Sequence, residues 1–536
     1  MTLKLTRRQF IQRTALTGLS IGTGAALSGC DPLETVIAPP TPVETADEVP
    51  ALIIGSGFGG AVAALRLGQA GIQTMLLEQG RRWSIAQMPF SRFILPDGRS
   101  TWLRTKTVMP FGPSFPITKY TGVLDRIDYH NIKVYRGTGV GGGSIVYGGI
   151  SVAPPENLFY QIFPREISYP AMATYYERVK QILGVSTAPP DIEAQSYYDY
   201  VRVFTKHAGA AGLDIAPVEQ ATDWDIIRSE IAGTVEPSAI IGEVIYGNNS
   251  GCKNSLDQNY LPMAEATGYV TIHPLHRVVD ISHKDNGKYE LTVENIDEAG
   301  KVIKTKKITT TSLFLAAGAV GTPELLVKAR DSGTLPHLSE TVGQGWGTNG
   351  NVMFTRSVKE ATGKMQGGPV IKTILDYQNT ETPNSIESVF FPIGQDCNCL
   401  LHLLLALDTE RGEFSYDPGT NTVKLEWPAD GNQQAVRAAI DVADRLNTAN
   451  GGTLGPAESG ISAILPDVTS DFTYHPLGGM VIGTACDFHG RVHNYPNLYV
   501  VDGSLLPGSC ATANPSLTIA ALAERNMETI LNEDFV

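Results

Sequence analysis

The stretch "PALIIGSGFGGAVAALRLGQAGIQTMLLEQG" spans residues 50–80, and its reading decides the fold. Ala51, Leu52, Ile53 and Ile54 form a short apolar run that stops at a glycine, the pattern of a buried strand. Gly55, Gly57 and Gly60 follow with the spacing G-x-G-x-x-G. Residues 61–69 carry helical periodicity, Gly71 ends the helix, and "TMLLE" reads as a second strand closing on Glu78. Gly55 permits the tight turn, Gly57 lets backbone approach a pyrophosphate, and Gly60 lets helix and sheet pack closely. The pyrophosphate rests in this reading on the helix N-terminus, where free N–H groups and the dipole favour an anion. Glu78 is placed to accept hydrogen bonds from a ribose hydroxyl. Strand, glycines, helix, strand and acid, in that order, predict an α/β dinucleotide-binding fold.

The motif alone does not separate NAD from FAD. Two features favour FAD: the fingerprint opens the folded region, and a second glycine-rich element, "RGTGVGGGSIVYGG", follows at residues 136–149. Its glycines would let backbone lie against an isoalloxazine ring, with N–H groups directed at the ring's polar edge. "SLFLAAGAVGTPELLVKAR" (312–330) predicts a strand, a glycine turn and a helix, a later strand of the same sheet. "GYVTIHPLHRVVDIS" (268–282) predicts two short strands, with His273 and His276 in structural roles.

The chain has 536 residues, enough for two interleaved domains rather than one core. Its formal charge of −14 repels phosphate backbones, which argues against a nucleic-acid partner. Residues 1–30 read as a targeting segment. Arg7 and Arg8 are followed by Phe10 and a mildly apolar run, as in a twin-arginine signal, and "LSGC" (27–30) reads as a lipobox ending at Cys30. Export to the periplasm or cell surface, with a lipid anchor at Cys30, is the expectation. Residues 31–47 are Pro-rich and acidic and read as a tether. Beyond Cys30 the cysteines are Cys252, Cys397, Cys399, Cys486 and Cys510, too few for a disulfide framework. Cys397 and Cys399 have the wrong spacing for a zinc knuckle, leaving a neighbouring-cysteine disulfide or plain core thiols. No metal site is expected.

Together with "EVIYGNNSG", "GQGWGTNGN", "YHPLGGM" and "YVVDGSLLPGSCATANPSLTIAALAERN", these elements resemble the glucose–methanol–choline oxidoreductase family of flavoproteins. Within it the chain is most similar to the bacterial cholesterol oxidases that hold FAD without a covalent link. The resemblance runs from about residue 49 to 531. It implies a Rossmann-like FAD-binding domain assembled from segments 48–83, 121–155, 245–345 and 462–536. An inserted α+β substrate domain with a large mixed sheet would take 84–120, 156–244 and 346–461. "YYERVKQIL" and "AVRAAIDVADRLN" would be covering helices.

Carried over position by position, the resemblance places FAD contacts on Gly55, Gly57, Phe58, Gly59, Gly60, Glu78, Gly142, Gly143, Gly148, Ile150, Val278, Asp502 and Gly503. It puts His475 of "YHPLGG" beside the flavin N5 and the substrate hydroxyl, with Asn514 next to it. Asp502 also fits a turn-forming residue, and Asn514 a helix N-cap. The implied activity is oxidation of a secondary alcohol, above all a 3β-hydroxysteroid, with oxygen as acceptor; a dehydrogenase passing electrons to a quinone or cytochrome is the alternative. Three positions depart from the family. Tyr147 stands where it has asparagine. Val389, three before Pro392, stands where steroid oxidases have the glutamate that shifts a double bond. Glu387 lies two residues earlier, at a position where the family has a phenylalanine that gates oxygen. Because residues i and i+2 of a strand share a face, Glu387 is a third candidate catalytic residue, and weak or absent isomerisation is the expectation.

Overall fold

The first sheet grows from the quoted stretch. The Glu48–Ile54 strand pairs in parallel with Thr74–Glu78 on one side and Val302–Leu315 on the other. Val270–Pro274 and Leu498–Val500 extend the parallel part at its two sides. Tyr289–Ile296 and His276–His283 complete the seven strands in antiparallel pairing. Ala51, Leu52 and Ile53 are fully buried, as the central strand of a covered parallel sheet requires. The structure is a computed structural model, and it describes residues 47–108, 114–391, 394–454 and 471–535. The expected signal and lipobox, residues 31–46 of the expected tether, and Pro392 lie outside the described residues.

The Phe58–Gln69 helix covers this sheet and packs on the C-terminal helix Ser516–Asp534. Arg66 binds Glu524 across that contact at 2.7 Å, and the Tyr260 hydroxyl donates to the same carboxylate at 2.9 Å. Glu524 is fully buried, so these partners are what make its charge tolerable. The Tyr169–Leu183 helix, read from the sequence as a covering helix, sends Met172, Tyr176, Val179 and Leu183 into this first core. Its apolar stripe fits any covering position, so the stripe alone did not say which sheet it covers.

The second sheet is antiparallel throughout, in the order Thr453–Leu454, Asn351–Ser357, Cys399–Ala406, Asn384–Val389, Lys372–Asp376, Asp214–Pro217. Strand alternation divides its side chains. Ile374, Ile386, Leu400 and Leu404 face a core that includes the helices Asp199–Ala210 and Gln433–Asn450. Met353, Leu401, Leu403 and Leu405 face the other way, toward the cavity side. Cys397 and Cys399 are joined in a disulfide. Among the described residues no helix is long and apolar enough to cross a membrane.

Candidate active site

One cavity of about 790 Å³ runs from the carboxyl ends of the first sheet's strands to the second sheet. Its first half is a cradle of backbone. Gly57 is the N-cap of the Phe58–Gln69 helix, with no side chain capping the free N–H groups. A Cβ added at Gly57 or Gly143 would meet nothing within 4 Å, so both face open space. The neighbouring glycines are the reverse. A Cβ at Gly55 would lie 2.3 Å from the Ala316 carbonyl oxygen, at Gly59 1.8 Å from that of Val501, and at Gly60 2.1 Å from that of Gly55. These three hold strand, turn and helix together; Gly57 and Gly143 leave room for a ligand. The two glycine-rich elements touch, since a Cβ at Gly142 would sit 2.7 Å from the Gly57 Cα.

Glu78 lines the cavity but is already engaged. Its Oε2 accepts from the Ser56 hydroxyl at 2.7 Å and its Oε1 from the Gly80 N–H at 2.8 Å. Asp502 accepts from the Gly318 N–H at 2.8 Å, the Thr322 hydroxyl at 2.6 Å and the Ser504 N–H at 2.9 Å. It thus ties residues 318–322 to residues 502–504 at the cavity wall as well as lining it. An open run of unpaired helix N–H groups, glycine backbone and a buried acid fits a pyrophosphate-linked ribose and ring.

The second half holds the reacting groups. His475, Asn514 and Glu387 come from three distant segments and line the same cavity. Two asparagines of the "GTNGN" stretch bring two of those segments together. Asn351 Oδ1 accepts from the Tyr474 N–H at 3.1 Å, next to His475. Asn349 accepts from the Cys510 N–H at 2.7 Å and donates to the Ala513 carbonyl at 2.9 Å, next to Asn514. Both asparagines are fully buried. Glu387 is brought in by its strand, which the Ser385 hydroxyl ties to the Thr512 carbonyl at 2.7 Å.

Burial holds His475 down to about 4, so its ring is neutral at pH 7, and its Nδ1 is buried with no hydrogen-bond partner. Burial pushes Glu387 up to about 7, opposed by a hydrogen bond from Asn514. Its Oε1 has no partner. Asn514 is not the cap of the C-terminal helix, whose N-cap is Pro515. The surrounding wall is apolar and includes Met353, Val370, Val389, Phe390, Leu403 and Tyr474.

Every candidate named from the sequence lines this cavity except Gly60, which lies beneath it as a packing glycine. His276, expected to be structural, also lines it, with Nδ1 against the Pro274 carbonyl at 2.8 Å. Val389 and Glu387 both face the cavity, as two residues of one strand face must. Sequence reading missed the asparagine clamp and the wall residues. The near-continuous apolar run "CLLHLLLA", buried along its whole length, was a usable signal for a strand covered on both faces; nothing local announces which asparagine holds which segment.

Fold and cradle together define a dinucleotide-binding protein with a second, largely apolar chamber beside the cofactor cradle. The chain belongs to the GMC oxidoreductase family: the model described as "GMC oxidoreductase" matches residues 49–345, and "GMC oxidoreductase, C-terminal" matches 349–456. It is 27% identical to the cholesterol oxidase of Mycobacterium tuberculosis (strain ATCC 25618 / H37Rv) over 556 residues, covering 88% of this chain and 89% of that protein. It is likewise 27% identical to a cholesterol oxidase of Acinetobacter baumannii, covering 89% and 94%. Among solved structures, pyridoxine 4-oxidase from Mesorbium loti superposes with a TM-score of 0.61 over 90% of this chain and 99% of that one, at 14% identity. The cofactor is FAD, as in the family.

Proposed function

We propose that this protein oxidises a bulky, mostly apolar secondary alcohol, with a 3β-hydroxysteroid the leading candidate, to the ketone. One observation carries the reading: an apolar chamber whose polar side chains at the reacting end are His475, Asn514 and Glu387. Such a chamber recognises an extended hydrocarbon body with one hydroxyl at its end. The cholesterol oxidase relatives support the same class.

Bound FAD supplies the two-electron acceptor. Gly57, Gly143 and the helix N-terminus would hold it. No histidine occurs in residues 137–149, where some relatives attach the flavin, so we propose non-covalent binding. Neutral His475 presents an unprotonated ring nitrogen to the substrate hydroxyl and takes its proton. Asn514, donating to Glu387, has its amide orientation fixed and presents its remaining polar atoms to that hydroxyl. Glu387 thus orders Asn514 and is itself a buried acceptor at the reacting end.

The test is anaerobic mixing of the holoenzyme with a panel of alcohols, followed by flavin bleaching. Sterols should bleach it fastest; if no alcohol does, the reading fails. Glu387 favours a second reading, in which the acceptor is a quinone or cytochrome rather than oxygen. A carboxylate beside the ring disfavours transfer of an electron to oxygen, because the product is an anion. Peroxide yield in air against turnover with an artificial quinone separates the two. We also propose that isomerisation is weak, because Glu387 is tied to Asn514 at the hydroxyl end and Val389 has no proton to exchange; enone absorbance lagging flavin reduction in single turnover is the expected outcome. For localisation we propose twin-arginine export with a lipid at Cys30. Arg7→Lys/Arg8→Lys should trap precursor in the cytoplasm, and Cys30→Ala should abolish lipid labelling.

A further inference from the structure

A group of charged side chains sits behind the cofactor turn, outside the machinery described above. Lys253 is 6% exposed. Its ammonium donates to the Ile145 carbonyl at 2.9 Å and to the Val244 carbonyl at 2.9 Å. Ile145 ends the Gly142–Ile145 turn that carries Gly143, and Val244 is in the cavity wall. Lys253 therefore staples the cofactor turn to the wall. The same Nζ lies 5.8 Å from the centroid of the Tyr147 ring. Tyr147 lines the cavity between Lys253 and Phe58, whose ring centroid is 5.5 Å away, and its hydroxyl is buried without a partner.

Among the described residues no carboxylate lies within ion-pair distance of Lys253. Its two acceptors are neutral carbonyls. The opposing charge is Asp257, one helical-turn spacing along the chain, whose field reaches both Lys253 and Tyr147 and whose Oδ1 is buried without a partner. Burial pulls Lys253 down to about 7, so it is an ammonium below that pH, and there, held by carbonyl dipoles in a low-dielectric wall, its charge exerts its field farther than a paired one. One aromatic ring separates it from the cavity.

We propose that Lys253 is a positioning residue that also sets the electron affinity of the bound flavin, its field acting through the Tyr147 ring and favouring the electron-rich reduced cofactor, with Asp257 opposing it. The departure of Tyr147 from the family's asparagine then has a consequence: a polarisable ring, not an amide, lies between the cation and the cofactor. The inference rests on the flavin ring lying along residues 142–150.

The experiment is a dye-equilibrated reductive titration of the holoenzyme below pH 7, where Lys253 carries its charge, to obtain the flavin midpoint potential. Lys253→Met should lower the potential, Lys253→Arg should leave it near wild type, and Asp257→Asn should raise it. A merely structural staple does not predict opposite signs for the two charges. An unchanged potential in flavin-loaded Lys253→Met overturns the proposal. If Lys253→Met fails to retain flavin, Asp257→Asn decides: a raised potential supports the proposal, an unchanged or lowered one overturns it. Placement is checked separately by Tyr147→Phe, which should alter the visible circular dichroism of the bound flavin. No change there shows the ring lies elsewhere, and the proposal falls with its premise.

Discussion

The two halves of the cavity are built from different materials. The cofactor half is backbone: glycines at fixed spacing, a bare helix N-terminus, and acids that bridge loops. The substrate half is side chain: an antiparallel sheet face of methyls and rings, with three polar groups at one end. The packing glycines of the cradle tolerate almost no substitution, because a Cβ at Gly55, Gly59 or Gly60 collides with another stretch of main chain. Side-chain walls tolerate much more, because a lost methyl leaves space rather than a clash. A family can therefore keep its cofactor while changing its alcohol.

The sharpest way to break this contrast is at Gly59. An added Cβ would lie 1.8 Å from the Val501 carbonyl oxygen, a contact that neither backbone can relieve without moving. Gly59→Ala should abolish recovery of flavin-loaded protein, read as the ratio of flavin absorbance to protein. Normal loading would show that the cradle gives way more easily than its geometry implies. His475→Ala comes next in size. It should retain FAD and slow flavin reduction roughly 10²-fold or more, the usual scale for a positioned acid–base group. Near-normal reduction would remove His475 from the chemistry.

Glu387→Gln should cost less, on the order of tenfold in the rate of flavin reduction, because Glu387 acts on the hydroxyl through Asn514. Its signature is the pH profile. The folded carboxyl is raised to about 7 by burial, so the carboxylate that orients Asn514 is present above that pH and lost as pH falls below it. Rate should rise with pH through about 7 in the wild type, and Glu387→Gln should flatten that step. If the step survives in Glu387→Gln, it belongs to another group.

The same contrast governs what the sequence made legible. The cradle could be read residue by residue, since a G-x-G-x-x-G between strand and helix constrains a few neighbouring positions at once. His475 and Asn514 were reached only through the family resemblance. No local pattern says that residues 475 and 514 meet, because the agents are Asn349 and Asn351, more than a hundred positions away. Glu387 was readable as facing the cavity because strand alternation is local, while its bond to Asn514 was not. Lys253 escaped notice because a lysine in a loop ordinarily reads as solvated; only the fold shows it buried. The Tyr169–Leu183 helix was legible as a covering helix but not which core it covers, since amphipathicity fixes a face and not its partner.

The smallest effect tests the tolerant half. Leu403 is in register with Glu387 on the neighbouring strand, and both side chains line the cavity. An alcohol held as proposed would touch Leu403 near the reacting end, where Leu403 contributes no polar atom. Its contact is the same in the bound alcohol and in the transition state, so it is uniform binding, which lowers KM without raising kcat. Burying a leucine-sized surface is worth about 1.5–3 kcal/mol at most, and an alanine still covers part of it. Leu403→Ala should therefore raise KM for a bulky apolar alcohol several-fold while kcat stays within about twofold. Short alcohols that do not reach Leu403 should show no change in KM. An equal fall in kcat and kcat/KM would instead mean that Leu403 buttresses Glu387 in its productive position. The wall would then share the rigidity of the cradle, and the division between the two halves would have to be redrawn at the edge of the second sheet.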